Sequence, residues 1–158
     1  MDLPLAVAIS ALIKDNKILL IKRAKGDYAG LLGLPGGKVE TNEHLSQAAI
    51  REILEESGIK SIFKKHIGFV SEHLIENKEI SKHFLLHVCE LEPVNTKISS
   101  NSEGRLAWYK LNDIQKIKDK IIPSDLLMIE KMIINKEKEY YDCVIEKEGN
   151  EYKLKEFR

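Results

Sequence analysis

Residues 36–59 read GGKVETNEHLSQAAIREILEESGI. This stretch constrains the chain most, because its periodicity predicts a helix over 43–57 that sets three glutamates within two turns. Thr41 or Asn42 can N-cap that helix, and Gly58 stands where a left-handed C′ residue belongs. On a wheel of 100° per residue, Glu52, Glu55 and Glu56 fall in a sector of about 100°. Ile50, Ile53 and Leu54 centre on nearly the opposite side. The helix therefore has an apolar back for a core and an acidic stripe. Like charges at i,i+3 and i,i+4 each cost roughly 0.2–0.5 kcal/mol. They also stand near the C-terminus, where the helix dipole opposes them. One account of such a stripe is a solvated face. The other is a divalent-cation site, since hard cations such as Mg²⁺ take carboxylate oxygens and retain waters and phosphates. The loop ahead bears on the choice. Pro35 stiffens it, and Gly36 and Gly37 let backbone groups approach an ion or a phosphate. A plain turn is the alternative, and a Gly-Gly pair alone does not decide.

The rest of the chain sets the frame. Its 158 residues are long enough to bury a sizeable core and are read as one domain, 1–158. Apolar residues make up 43% and charged residues 32%, within the globular range. With 25 basic and 25 acidic side chains the formal charge is zero, which argues against a nucleic-acid polymer as partner. The apolar stretch from Leu3 to Ile13 lacks a basic lead and is about half the length of a membrane span, so it reads as a buried strand. Cys89 and Cys143 form no C-x-x-C pair and read as reduced thiols of a cytoplasmic protein.

Residues 4–13 and 17–23 read as two strands joined by a tight turn at Lys14–Asn16. A glycine-rich loop follows, with a short strand at Leu31–Leu34. Beyond the helix, residues 60–75 and 79–92 read as a strand hairpin, and GRLAWYKL as another strand. LNDIQKI and PSDLLMIEKMII read as helices, the second started by Pro123 and Ser124–Asp125. Residues 138–157 read as a C-terminal hairpin turning at Gly149–Asn150. Strands and helices mixed in this way suggest a layered α/β or α+β fold.

The spacing of residues 37–59 resembles the Nudix box, G-x5-E-x7-R-E-U-x-E-E-x-G-U with U apolar, at every specified position: Gly37, Glu43, Arg51, Glu52, Ile53, Glu55, Glu56, Gly58 and Ile59. The resemblance implies an α/β/α sandwich with a mixed β-sheet and a hydrolase of nucleoside diphosphates linked to another moiety, working with Mg²⁺ or Mn²⁺. By position, Glu52, Glu55 and Glu56 are the implied metal ligands, with the Gly36 carbonyl. Arg51 and Glu43 are implied to be structural, pairing to hold the loop on the helix. Lys38 and Arg23 are phosphate candidates, and a solvated surface role suits each equally well. For the base that deprotonates water, Glu52 is one candidate. Glu103, on the loop before the Trp108 strand, is the other, as base or extra ligand.

The substrate is less legible. Leu32 replaces the Trp that many relatives carry three residues before Pro-Gly-Gly. Tyr28 can stack on a base instead, or pack on the loop's own leucines. Leu74 stands where ADP-ribose hydrolases of the family tend to place Pro. Elimination leaves a MutT-like nucleoside triphosphate pyrophosphatase giving a monophosphate and pyrophosphate. Cleavage of ADP-ribose or a nucleotide sugar, and a non-catalytic nucleotide-sensing module, are the alternatives. His83 and His87 share a strand face but stand about 13 Å apart, too far for one ion. Apolar positions in the final hairpin can form a homodimer surface or cover the sheet.

Overall fold

The computed structural model describes residues 2–99, 102 and 105–158. Strands β1 (Leu5–Lys14) and β2 (Lys17–Lys22) make the first hairpin. Asp15 and Asn16 turn it with φ of 50° and 62°. Two successive left-handed residues match the twist of the flanking strands, and Asp and Asn accept that conformation most readily after glycine. Two short strands follow, β3 (Leu32–Gly33) and β4 (Gly36–Lys38). Glycine has little strand preference, so residues 36–38 read as loop from the sequence. They pair instead antiparallel with β1, Gly36 opposite Ile9 and Gly37 opposite Ala8.

Helix α1 runs Leu45–Ser57. It starts later than expected, at His44 rather than Thr41 or Asn42. The Gln47 side chain accepts the His44 N–H at 2.7 Å, which satisfies one donor that the first turn leaves free. Gly58 ends the helix at φ 77°, with its N–H on the Leu54 carbonyl.

The long strands β5 (Ser61–Glu76) and β6 (Glu79–Pro93) form a hairpin. Strand β7 (Leu106–Lys110), a 3₁₀ helix (Leu111–Lys120), α2 (Pro123–Leu127) and a π-helical segment (Met128–Ile134) come next. The reading of 123–134 as one helix therefore divides into two helical windings, with Pro123 at the start where a missing N–H costs nothing. Strands β8 (Tyr140–Glu148) and β9 (Glu151–Phe157) close the chain as a hairpin.

The strands join in the order β3-β2-β1-β6-β5-β8-β9, with β4 on β1 and β7 on β2. The β1–β6 and β5–β8 pairs are parallel and the other pairs antiparallel, so the sheet is mixed. Helices cover both faces. On one side α1 packs Ala48, Ala49 and Ile53 against Ala8, Leu12, Cys89 and Leu91. The two alanines let the helix approach the strands closely. The expected apolar back is narrower than the wheel suggested, since Leu54 is 45% exposed. On the other side Ile114, Ile122, Met128, Ile129 and Met132 pack on Leu20, Val70, Leu74 and Val88. Burying each such aliphatic side chain contributes about 1.5–3 kcal/mol. Tyr141, Cys143 and Ile145 join this second core, so the final hairpin extends the sheet and lines its interior. Both cysteines are buried free thiols. Among the described residues no helix is long and apolar enough to cross a membrane.

Candidate active site

The β1–β4 pairing fixes the loop that feeds α1. Gly36 passes so close to β1 that a Cβ there would stand 2.1 Å from the Ala8 carbonyl oxygen. Gly37 leaves room for a side chain of α1, since its Cβ would stand 2.4 Å from the Glu52 carboxyl carbon and Oε1. The loop glycines thus place backbone against strand on one side and carboxylate on the other.

Arg51 ties this loop to the helix. Its Nε donates to Glu43 Oε2 at 2.9 Å and its Nη2 to Glu43 Oε1 at 2.7 Å, a two-pronged pair. Nη2 also donates to the Lys38 carbonyl at 3.2 Å. Nη1 reaches Glu52 at 2.8 Å and Glu55 at 3.2 Å. The guanidinium hydrogen bond is the main reason the Glu43 carboxyl is held down at about 2. One arginine therefore offsets part of the repulsion along the acidic stripe.

Glu56 accepts the Gly36 N–H at 3.1 Å. Burial, then the charge of Glu52, pushes its carboxyl up to about 7. The Ser102 hydroxyl donates to the Glu56 carbonyl at 2.6 Å and docks the loop before β7 on the helix end. Glu103, expected as base or extra ligand on that loop, lies outside the described residues.

Among the described residues no three acidic, histidine or cysteine side chains already converge as a metal-binding cluster. The donor chemistry nonetheless fits a hard divalent cation. Glu52, Glu55 and Glu56 present only carboxylate oxygens on one helix face, Glu52 fills the space that Gly37 leaves open, and Glu56 carries a proton affinity that a nearby cation would relieve.

Two cavities meet beside the box. The smaller, about 190 Å³, is lined by Arg23, Lys25, Gly36, Glu56 and Arg105. The larger, about 360 Å³, runs from Gly36, Gly37 and Lys38 to Tyr28, Glu72 and Asp125. Arg23, Leu34 and Gly36 border both. Arg23 thus stands at the junction, its Nε on the Asp27 carbonyl at 2.9 Å. Lys82 pairs with Asp27 at 2.6 Å on the wall of the larger cavity.

Sequence reasoning missed the inner end of the larger cavity. Asp125, 7% exposed, accepts the Leu34 N–H at 2.8 Å, and burial pushes its carboxyl up to about 7. Glu72, 2% exposed, accepts the Tyr28 hydroxyl at 2.9 Å. Burial raises the Glu72 carboxyl as well. Glu72 gave no sequence signal, since Phe69-Val70-Ser71-Glu72-His73-Leu74 does not alternate apolar with polar, and burial alternates only along the folded strand. Asp125 gave none, since its partner lies 91 residues away. Tyr28 is buried, with its ring against Tyr152 at 4.5 Å between centroids. The histidines of β6 do not act together. His87 Nδ1 lies 3.1 Å from His66 Nε2, and His83 packs on His73.

The family model of the NUDIX domain matches residues 4–128. The chain is 34% identical over 114 residues to an ADP-ribose pyrophosphatase of Methanocaldococcus jannaschii, a match covering 71% of this chain and 66% of that protein. It is 30% identical over 125 residues to a CTP pyrophosphohydrolase of Escherichia coli, covering 77% and 87%. Among solved structures, a mutator MutT protein from Bacillus halodurans shares the fold at TM-score 0.73 and 19% identity, over 98% of this chain and 96% of that one. A curled mixed sheet between helices, carrying the box as loop and helix, belongs to a defined class of α/β protein. The chain is a member of the Nudix family. Its match spans a little under two thirds of the archaeal relative's length.

Proposed function

We propose that the protein hydrolyses a pyrophosphate bond in a nucleoside triphosphate, releasing a nucleoside monophosphate and pyrophosphate. The observation that carries this reading is the pair of joined cavities. A polar one, bordered by Arg23, Arg105 and Glu56, suits a phosphate chain. A deeper one, ending at Tyr28, Glu72 and Asp125, suits a base. Arg23, which borders both, and Lys38, on the wall of the larger, supply positive charge to phosphate oxygens.

Glu52, Glu55 and Glu56, with the Gly36 carbonyl, are the residues that would hold Mg²⁺ or Mn²⁺. A divalent cation there supplies charge neutralisation at the phosphates and a more acidic water. The chain's own part is placement and proton transfer. Arg51 holds Glu52 and Glu55 by one oxygen each and anchors the loop through Glu43. A new bond forms from water oxygen to phosphorus as the anhydride P–O bond breaks. The water's proton passes to a carboxylate, with Glu52 and Glu103 the candidates.

A second reading is cleavage of ADP-ribose, favoured by the 34% identity to the archaeal pyrophosphatase. A panel of triphosphates, oxidised guanine nucleotides, ADP-ribose and nucleotide sugars, compared by kcat/KM with Mg²⁺, decides. Highest efficiency on a triphosphate supports the first reading. Highest efficiency on ADP-ribose establishes the second. No turnover of any member, with tight nucleotide binding, marks a sensing module.

A further inference from the structure

The final hairpin lies beyond the residues matched by the family model, yet it contacts Tyr28 and Glu72, which line the larger cavity. Strand β8 lies parallel to β5 with Cys143 opposite Glu72, and the thiol sits 3.9 Å from Glu72 Oε1. From β9, the Tyr152 hydroxyl oxygen accepts the Tyr28 N–H at 2.9 Å. Tyr28 has φ 64°, in the left-handed region that disfavours a bulky side chain. The Tyr152 hydrogen bond and ring contact hold it there, and that conformation carries the Tyr28 hydroxyl to Glu72 Oε2 at 2.9 Å.

Glu72 is thereby held at the cavity's inner end by uncharged partners, a phenol and a thiol, with the Ser124 hydroxyl also beside it. A carboxylate accepts hydrogen bonds at about four lone-pair positions, so these three leave capacity for a ligand. Where Glu72 is ionised, a ligand placing a carbonyl there sets two acceptors facing each other in a dry site. One placing an amino group there completes the set.

We propose that Glu72 determines specificity by accepting a hydrogen bond from the substrate's base, favouring bases with an exocyclic amino group. We assign Tyr152 as a positioning residue that acts on Glu72 through Tyr28. The proposal rests on the reading of the larger cavity as a base pocket.

The test compares kcat/KM for paired nucleotides that differ by amino against carbonyl, CTP with UTP and ATP with ITP. The parent should prefer the amino member of each pair by about tenfold or more. In Glu72→Gln, which offers an N–H as well as an oxygen, the preference should collapse. Tyr152→Phe keeps the ring and removes the acceptor for Tyr28. It should raise KM for amino-bearing substrates several-fold while kcat changes little. A hairpin that merely covers the sheet predicts instead a lower melting temperature with the CTP/UTP ratio unchanged. If Glu72→Gln does not fold, Tyr152→Phe alone decides by that ratio. A parent without the preference, or folded variants that retain it, overturns the proposal. A parent that turns over no nucleotide overturns the proposed function itself, a separate result.

Discussion

Gly37 and Glu52 compete for one space: a Cβ on the glycine would stand 2.4 Å from the glutamate's carboxyl carbon. The neighbouring glycine meets something different, the Ala8 carbonyl at 2.1 Å. The two substitutions therefore differ in what must move to admit a Cβ. In Gly37→Ala the flexible Glu52 side chain swings aside. The fold should survive with less than about 1 kcal/mol lost, while kcat falls on the order of 10²-fold through misplacement of a carboxylate. In Gly36→Ala the obstacle is backbone, which cannot swing, and β4 must leave β1. That variant should lose about 1–3 kcal/mol or more by overpacking. Thermal melting and steady-state kinetics on both variants check the contrast.

Arg51 holds three carboxylates and the Lys38 carbonyl. Arg51→Ala frees the loop and leaves the acidic stripe unopposed. The expected loss is about 1 kcal/mol, roughly 2–4 °C in Tm for a chain of this size. Arg51→Lys should recover little, because an ammonium cannot reproduce the fork on Glu43. Raising ionic strength should narrow the gap between parent and Arg51→Ala, since screening relieves the stripe.

Asp125 gives a pH signature. Burial raises its carboxyl from the ordinary aspartate value to about 7 in the folded protein. A raised folded value means that the folded state binds the proton more tightly than the unfolded chain. The associated stability is present below about pH 4 and is lost as pH rises to about 7. Asp125→Asn keeps an oxygen for the Leu34 N–H and cannot ionise. Its stability should exceed the parent's at pH 8 by on the order of 3 kcal/mol and fall to parity or below near pH 4. Denaturant titrations of both proteins at pH 4, 6 and 8 measure the difference.

The legible parts of the molecule were those set by local chemistry. Asp15–Asn16 announced a hairpin because both tolerate left-handed backbone, and Gly58 announced a helix end for the same reason. The box could be placed on the helix because its carboxylates recur at helical spacing. The parts that stayed hidden depend on distant partners. Gly36–Lys38 forms a strand because β1 offers Ala8 and Ile9, and nothing in Gly-Gly-Lys asks for one. Leu54 lies in the apolar sector of the wheel yet faces solvent, because Ala48, Ala49 and Ile53 already fill the contact with the sheet. The inner end of the cavity joins Tyr28, Glu72, Asp125 and Tyr152 from four separate segments, and no local pattern announced it.

The proposed role of the α1 carboxylates is hydrolysis of a pyrophosphate bond. Pyrophosphate release from the best substrate of the panel, with saturating Mg²⁺, tests it most directly when the parent and Glu56→Gln are compared. The expected result is a fall in kcat of at least about 10²-fold, with a Tm equal to or slightly above the parent's as the repulsion from Glu52 is relieved. Equal turnover by a folded Glu56→Gln variant would contradict the account.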